Sequence, residues 1–94
     1  MALTELDRNR SQARSVNHLV RACVLIRVQH GRHLQVAREV ASISGVKSAF
    51  AVVGAADVVA RIEAPDMAGL LSVGTRIGDL EDVFTTETFV AAEA

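Results

Sequence analysis

Apolar residues follow two different spacings along the chain, and the points where the spacing changes predict the secondary structure. Runs of β-branched and apolar residues with an alternating pattern are typical of strands. Four such runs predict β-strands over residues 20–29, 46–53, 57–63 and 83–90. Gly54-Ala55-Ala56 joins the second predicted strand to the third, and so short a connection requires the two strands to pair antiparallel.

Two segments between the strands show the three-to-four-residue spacing of helices. The first covers residues 32–43, and its apolar stripe is Val36, Val40 and Ile43. The second begins at Asp66, whose carboxylate can cap the free N–H groups of the first turn, and it ends at Gly78. Its expected apolar stripe is Met67, Leu70, Leu71 and Ile77.

The predicted order β-α-β-β-α-β is the split βαβ, or ferredoxin-like, plan. Because such crossovers are right-handed, both helices should lie on the same face of the sheet. We therefore expect an α+β sandwich in which a four-stranded antiparallel sheet carries two helices on one face.

The face of the predicted sheet that the helices leave uncovered is also largely apolar. In the first strand Ala22, Val24 and Ile26 point one way, while Cys23 and Leu25 point the other. An antiparallel sheet with one wet face should instead alternate apolar and polar residues. We therefore expect two copies to dimerise through this face, sheet on sheet. Cys23, the only cysteine, is interpreted as a small buried hydrophobic residue.

Length, charge and hydropathy restrict the class of protein. The 94 residues suit one domain, and the formal net charge of −1 lacks the basic surplus of nucleic-acid-binding domains. No apolar run approaches the ~18 residues of a membrane span, and the start of the chain has no apolar signal-peptide core. We expect a cytoplasmic protein with no membrane or direct nucleic-acid partner. A polar extension over residues 1–19 would precede a domain over residues 20–92.

Three activities found on ferredoxin-like folds lack the groups that their chemistry needs. The loop at residues 28–32 is similar to the phosphate loop of acylphosphatases, but the second predicted strand has no Asn to orient water. Metal chaperones need two thiols, whereas the chain has one, and His30 and His33 have no third ligand nearby. RNA-recognition domains stack bases on aromatic residues of the central strands, and the first and third strands have none. No catalytic residue, metal or cofactor is therefore expected.

Five segments follow one another in an order that is typical of one protein family. They are ACVLIRV at 22–28, ISGV at 43–46, VVGAADVVARI at 52–62, APDM at 64–67 and VFTTETFV at 83–90. The most specific is the hairpin, which has the G-x-x-D spacing of Gly54 and Asp57. Together they resemble the C-terminal effector-binding domain, or RAM domain, of the Lrp/AsnC (leucine-responsive, feast/famine) regulators.

This resemblance implies domains that pair through their sheets, dimers that associate further, often into octameric rings, and an amino-acid effector bound between dimers. The implied effector-binding residues are Gly54, Ala55, Ala56, Asp57, Thr85, Thr86 and Thr88. Asp57 would pair with an α-ammonium group and the N–H groups around Gly54 with a carboxylate, and the threonine hydroxyls would add polar contacts. The same residues also suit a turn, a hairpin cap and a strand, so both interpretations stay open.

We therefore expect a stand-alone ligand-sensing module of the Lrp/AsnC type, without the helix-turn-helix domain of those regulators and without enzymatic activity. It would act on transcription regulation or amino-acid metabolism indirectly, with full-length family regulators as further candidate partners. Two alternatives stay open. One is an assembly module that binds no ligand. The other is a small enzyme of the dimeric α/β-barrel group, for which the predicted strands offer few polar groups.

Overall fold

The computed structural model describes residues 19–92, which form six elements in the predicted order. They are β1 (Val20–Val28), α1 (His33–Ala41), β2 (Val46–Ala51), β3 (Val58–Ala64), α2 (Met67–Gly78) and β4 (Val83–Val90). This βαββαβ order confirms the predicted fold class. Of the extension predicted over residues 1–19, only Leu19 lies within the described residues, so the division into extension and domain stays a prediction.

The four strands form one antiparallel sheet in the order β2-β3-β1-β4, so β1 and β3 are central. Each helix crosses over between strands that are not neighbours. Along β1 the register is clear, since Val24 lies opposite Ala60 of β3 and opposite Thr88 of β4. Directly opposite residues in a sheet point to the same face, so this register decides which side chains meet.

The hydrophobic core lies between the sheet and the two helices. Alternate residues of β1 and β3 point into this core. Both helices pack against it, so they lie on one face of the sheet as predicted. The strands supply Ala22, Val24, Ile26, Val28, Val58, Ala60, Ile62 and Ala64, and the helices supply Val36, Ala37, Val40, Leu70, Val73 and Ile77. Full burial of one Val, Leu or Ile side chain stabilises a fold by about 1.5–3 kcal/mol, so this cluster is the main source of stability.

Helix α2 buries a stripe that differs in part from the predicted one. Leu70 and Ile77 are buried as expected, but Met67 and Leu71 are 47% and 62% exposed. Val73 takes their place in the core. The reason is the helical period, because positions 70, 73 and 77 stack on one face of α2 while position 71 turns away from it.

The helix ends are determined by side-chain hydrogen bonds. Asp66 caps α2 as predicted, since its Oδ1 accepts a hydrogen bond from the Gly69 N–H over 2.7 Å. Helix α1 ends at Ala41, two residues before the predicted end. There the Ser42 hydroxyl donates to the carbonyl of Glu39 over 2.7 Å, so a side chain competes with the backbone for the last turn.

Gly45 joins α1 to β2 at a point where only glycine fits. Its φ of +98° is a conformation that residues with a side chain rarely adopt. A Cβ atom at this position would lie 2.6 Å from Cγ2 of Val73 in α2. The missing side chain therefore lets the α1–β2 connection pack directly on α2.

The side of the sheet that is turned away from the helices is called the open face here. It carries Arg21, Cys23, Leu25 and Arg27 of β1, Ser48 and Phe50 of β2, Val59, Arg61 and Glu63 of β3, and Thr85, Glu87 and Phe89 of β4. Phe50 and Phe89 are 51% and 52% exposed. Cys23 is also exposed, which corrects its interpretation as buried, because no described part of the chain covers this face.

The pairing between β1 and β4 contains a bulge. Arg27 lies opposite Thr85, whereas Val28 lies opposite Val83, so Phe84 is an extra residue on β4. Bulges bend a strand locally and can turn a side chain in a new direction. The Phe84 side chain is 64% exposed, next to the point where the hairpin between β2 and β3 meets β1.

Candidate functional site

Asp57 fastens the hairpin between β2 and β3 to the end of β1. Its N–H donates to the carbonyl of Ile26, and its Oδ2 accepts from the N–H of Val28, each over 2.9 Å. Its carbonyl accepts from the N–H of Val52 over 2.9 Å, which closes the hairpin. Asp57 thus has the structural role that the sequence left open, and Oδ2 is the carboxylate oxygen that performs it.

At the tip of the hairpin, Gly54 and Ala55 are accessible from the surface, whereas Ala56 is buried. Gly54 has φ +151°, and a Cβ atom placed on it would meet no atom within 4 Å, so the space around it is free. Ala55 is exposed, whereas Ala56 is 6% exposed and points into the protein. Of the two alanines predicted at the site, only Ala55 therefore presents its side chain to the surface.

Arg27, which belongs to no sequence motif at the predicted site, lies against this hairpin. Its Nε is 3.8 Å from Oδ2 of Asp57, and its Nη1 donates to the carbonyl of Ala55 over 3.4 Å. The Arg27 side chain is 63% exposed and that of Asp57 is 35% exposed. Exposed ion pairs stabilise a fold by only about 0–1 kcal/mol, so this pair orients two charges at the surface more than it holds the hairpin.

The three predicted threonines lie on opposite faces of the sheet. Thr85 pairs with Arg27 and so lies on the open face beside the hairpin. Thr86 and Thr88 pair with the buried Ile26 and Val24, so they point to the helix side. The register of β4 therefore divides the predicted set, since the sequence alone leaves the direction of each threonine open.

Thr86 and Thr88 line a groove between α2 and β4, called the α2–β4 groove here. Its volume is about 370 Å³, and its other lining residues are Leu70, Leu71, Gly74, Thr75, Gly78 and Asp79. Gly74 and Gly78 leave the helix side open, since a Cβ atom on either would meet no atom within 4 Å. The groove therefore combines hydroxyls, one carboxylate and an apolar wall.

A second depression lies on the open face and is called the Arg27 pocket here. It has a volume of about 350 Å³ and is lined by Arg27, Phe84 and Thr85. The Arg27 pocket and the α2–β4 groove are on opposite sides of the sheet. A small ligand on a single chain cannot contact the hairpin carboxylate and the hydroxyls of Thr86 and Thr88 at once.

Other polar groups of residues 19–92 form structural pairs or stay apart. Arg32 Nε is 3.1 Å from Oδ2 of Asp82 and ties the loop after β1 to the start of β4. Within the described range no group of three or more His, Cys, Asp or Glu side chains is arranged to hold a metal ion. None of the described helices combines the length and the hydropathy that a membrane crossing requires.

The comparison with protein families decides what kind of domain this is. A family model described as the Lrp/AsnC ligand binding domain matches residues 21–94. The chain belongs to this family. The match includes all six elements of the Lrp/AsnC domain except the first residue of β1, and it confirms the resemblance seen in the hairpin and the strands.

Solved structures share the fold of this Lrp/AsnC domain. TTHA0845 from Thermus thermophilus is 34% identical, with a TM-score of 0.75 over 80% of this chain and 95% of that one. AsnC of E. coli is 12% identical, with a TM-score of 0.75 over 95% and 68% of the two chains. A transcriptional regulator of Neisseria meningitidis, solved as a complex with L-Met, is 18% identical, with a TM-score of 0.69 over 85% and 54%. The search among curated proteins finds no significant match.

In this Lrp/AsnC domain the signal for Arg27 in the sequence is weak but present. The first strand is an apolar run that Arg27 interrupts two residues after Leu25. A charged residue at such a position on the open face is also typical of a side chain that is simply solvated. Only the pairing of β1 with β3 brings Arg27 to the Gly54–Asp57 hairpin. No local pattern predicts a contact between residues thirty positions apart.

Proposed function

We propose that this chain is an effector-binding module that binds an amino acid or a related small molecule at interfaces between copies of itself. The observation that carries the proposal is the family match over residues 21–94, because the matching family is described as a ligand binding domain. The complex of the Neisseria relative with L-Met supports an amino acid as the class of effector.

The division of the predicted residues between two faces supports a site shared by two copies. Asp57 and Thr85 lie at the hairpin, whereas Thr86 and Thr88 line the α2–β4 groove behind the sheet. One chain cannot bring both groups to one small ligand. A hairpin from one copy and a groove from a neighbour would form a complete site.

The hairpin of one copy and the α2–β4 groove of its neighbour would contact different groups of the ligand. The exposed tip at Gly54 and Ala55 leaves room for the backbone of an amino acid, and the Asp57 carboxylate suits its α-ammonium group. The hydroxyls of Thr86 and Thr88 can donate or accept hydrogen bonds. Leu71, which is 62% exposed at the groove, offers an apolar surface to a ligand side chain.

The open face supports the association of copies that such a site requires. Phe50 and Phe89 stand half exposed on it, with Leu25 and Val59 between them. Two open faces packed sheet on sheet would remove this apolar surface from water. Further association of the dimers into a ring, such as an octamer, would bring hairpins and grooves of different dimers together.

The role that follows is regulatory and not enzymatic. The Neisseria relative is a transcriptional regulator. An effector-dependent assembly of this chain would act on transcription regulation or amino-acid metabolism indirectly in the cytoplasm, either alone or together with full-length Lrp/AsnC regulators. A change in assembly on effector binding is the physical event that a partner could sense.

Thermal melts with each of the twenty amino acids, followed by sedimentation of every hit, test the proposal. A ligand at about 100 times its dissociation constant stabilises the folded state by about 2.7 kcal/mol, which shifts the melting temperature measurably. A shift with one or a few amino acids supports the sensor. Unchanged melts with all twenty contradict the amino-acid proposal and favour the alternative function, an assembly module in which Asp57 serves only the hairpin.

A further inference from the structure

We propose that Arg27 binds the carboxylate of the effector, with Asp57 taking its ammonium group and Phe84 contacting an apolar side chain. This inference rests on the proposed function and deepens it, since it specifies the effector as a zwitterionic amino acid with an apolar side chain. The site is the Arg27 pocket together with the adjacent hairpin.

The bulge in β4 brings the three chemical groups of this site together. Arg27 and Thr85 are directly opposite each other, at a spacing of about 4.5–5.5 Å between Cβ atoms. Phe84 is the inserted residue, and its ring lines the same depression of about 350 Å³. A regular pairing would alternate Phe84 and Thr85 between the two faces, so the bulge is what lets both line one pocket.

The guanidinium of Arg27 is oriented but not saturated. Arginine has five N–H donors in a planar fork. Its contacts to Asp57 Oδ2 at 3.8 Å and to the Ala55 carbonyl at 3.4 Å are long and use Nε and Nη1. With 63% of the side chain exposed, the remaining donors make no hydrogen bond within residues 19–92. A planar fork of this kind matches a carboxylate through two parallel hydrogen bonds.

The neighbouring charges favour a zwitterion over a simple anion. Asp57 lies beside Arg27, so a ligand with a carboxylate alone would meet both an attractive and a repulsive charge. An amino acid avoids the repulsion, because its ammonium group can approach the Asp57 carboxylate while its carboxylate meets Arg27. The other acid on this part of the open face is Glu87, opposite Leu25, and it forms no ion pair with Arg27 within residues 19–92.

Phe84 indicates the nature of the effector side chain. An aromatic ring that is 64% exposed beside a charged group is a surface that an apolar ligand group can cover. On the hairpin side of the shared site, Thr85 is the only hydroxyl that lines the pocket within the described chain, so a ligand side chain there meets mainly the Phe84 ring. Leucine and phenylalanine are therefore better candidates than asparagine or glutamate.

Calorimetric titrations of the full chain with L-leucine, L-phenylalanine, L-asparagine and L-glutamate, and with the α-amides of leucine and phenylalanine, test this assignment. The amides keep the ammonium group and lack the carboxylate. For the wild-type chain we expect the amides to bind about 10- to 100-fold more weakly than the acids, which corresponds to the loss of one charge-assisted contact. Arg27→Gln should weaken the acids by a similar factor and should leave the amides unchanged.

Arg61→Gln is the matched control, since Arg61 is a second exposed arginine on the open face at a distance from the hairpin. It should bind the acids as the wild type does. Equal binding of acid and amide to the wild type, or equal losses in Arg27→Gln and Arg61→Gln, would overturn the role of Arg27. Binding of polar amino acids alone would overturn the role of Phe84 and leave the proposed function standing. Absence of binding by any amino acid would overturn both.

Discussion

The Asp57 carboxylate accepts a hydrogen bond from the backbone N–H of Val28 over 2.9 Å, and this bond joins the β2–β3 hairpin to the end of β1. The same carboxylate oxygen lies 3.8 Å from Nε of Arg27. Asp57, which we propose to bind the effector, therefore also holds the hairpin in place. A substitution at position 57 has to be analysed for both roles.

Asp57→Ala should abolish effector binding and lower the free energy of unfolding by about 1.5 kcal/mol, because the Val28 N–H loses a charged acceptor. Asp57→Asn should lower it by less, since the amide oxygen can accept the same hydrogen bond, while binding of the ammonium group still falls. Urea unfolding at equal protein concentration and calorimetric titration measure the two effects. Wild-type binding by Asp57→Ala would show that the hairpin is not the site.

Gly45→Ala should destabilise the domain by about 3 kcal/mol, because it combines an unfavourable φ with overpacking against Val73. Gly31→Ala separates the two causes. Gly31 also has a positive φ, +82°, but its Cβ position meets nothing within 4 Å. That variant should lose only about 1 kcal/mol. Equal losses in the two variants would mean that close packing on α2 contributes nothing.

Asp66→Ala should lower stability by about 1 kcal/mol, since the Gly69 N–H loses its capping acceptor at the start of α2. Asp66→Ser should retain most of the stability because serine is also a good cap. Asp79→Ala, at the opposite end of the same helix, should change stability by less than about 0.5 kcal/mol. Chemical denaturation of the three variants gives the comparison, and a larger loss at position 79 than at 66 would contradict it.

Phe50→Asp should dissociate the oligomer into folded monomers, because a charge between two packed open faces would be desolvated without a partner. Leu34→Asp is the matched control. Leu34 is 63% exposed on α1, on the other side of the sheet, and its replacement should leave the assembly unchanged. Sedimentation and circular dichroism report assembly and folding separately. A monomeric wild type, or a Phe50→Asp variant that assembles normally, would refute dimerisation through the open face.

The fold could be predicted from local patterns because each strand and helix has a clear apolar period. Val24 and Ile26 alternate with residues of the open face, and both are fully buried. The predicted burial was wrong at Leu71 and Cys23, where tertiary contacts decide whether a side chain is buried. Leu71 and Val73 are equally apolar in the sequence, and only packing on the sheet shows which of the two is buried. Cys23 faces the open side of β1, where its burial depends on a second molecule.

The candidate site was less accessible to sequence reasoning than the fold. The G-x-x-D hairpin is visible as a motif, and the structure places Gly54 and Asp57 together at one surface. The direction of the threonines depends on the register of β4 against β1, which no local residue pattern predicts. The approach of Arg27 to the hairpin depends on strand pairing across thirty positions of the chain.

The most direct test of a site shared between copies is a titration of mixed variants. Asp57→Ala alters only the hairpin half, and a Thr86→Val/Thr88→Val chain alters only the groove half. Neither protein alone should bind the amino acid that shifts the wild-type melt. Unfolding and refolding the two together in equal amounts should restore binding to about a quarter of the sites, since one random pairing in four joins two unaltered halves. No restored binding in a mixture that reassembles as the wild type does would contradict a site formed by two chains.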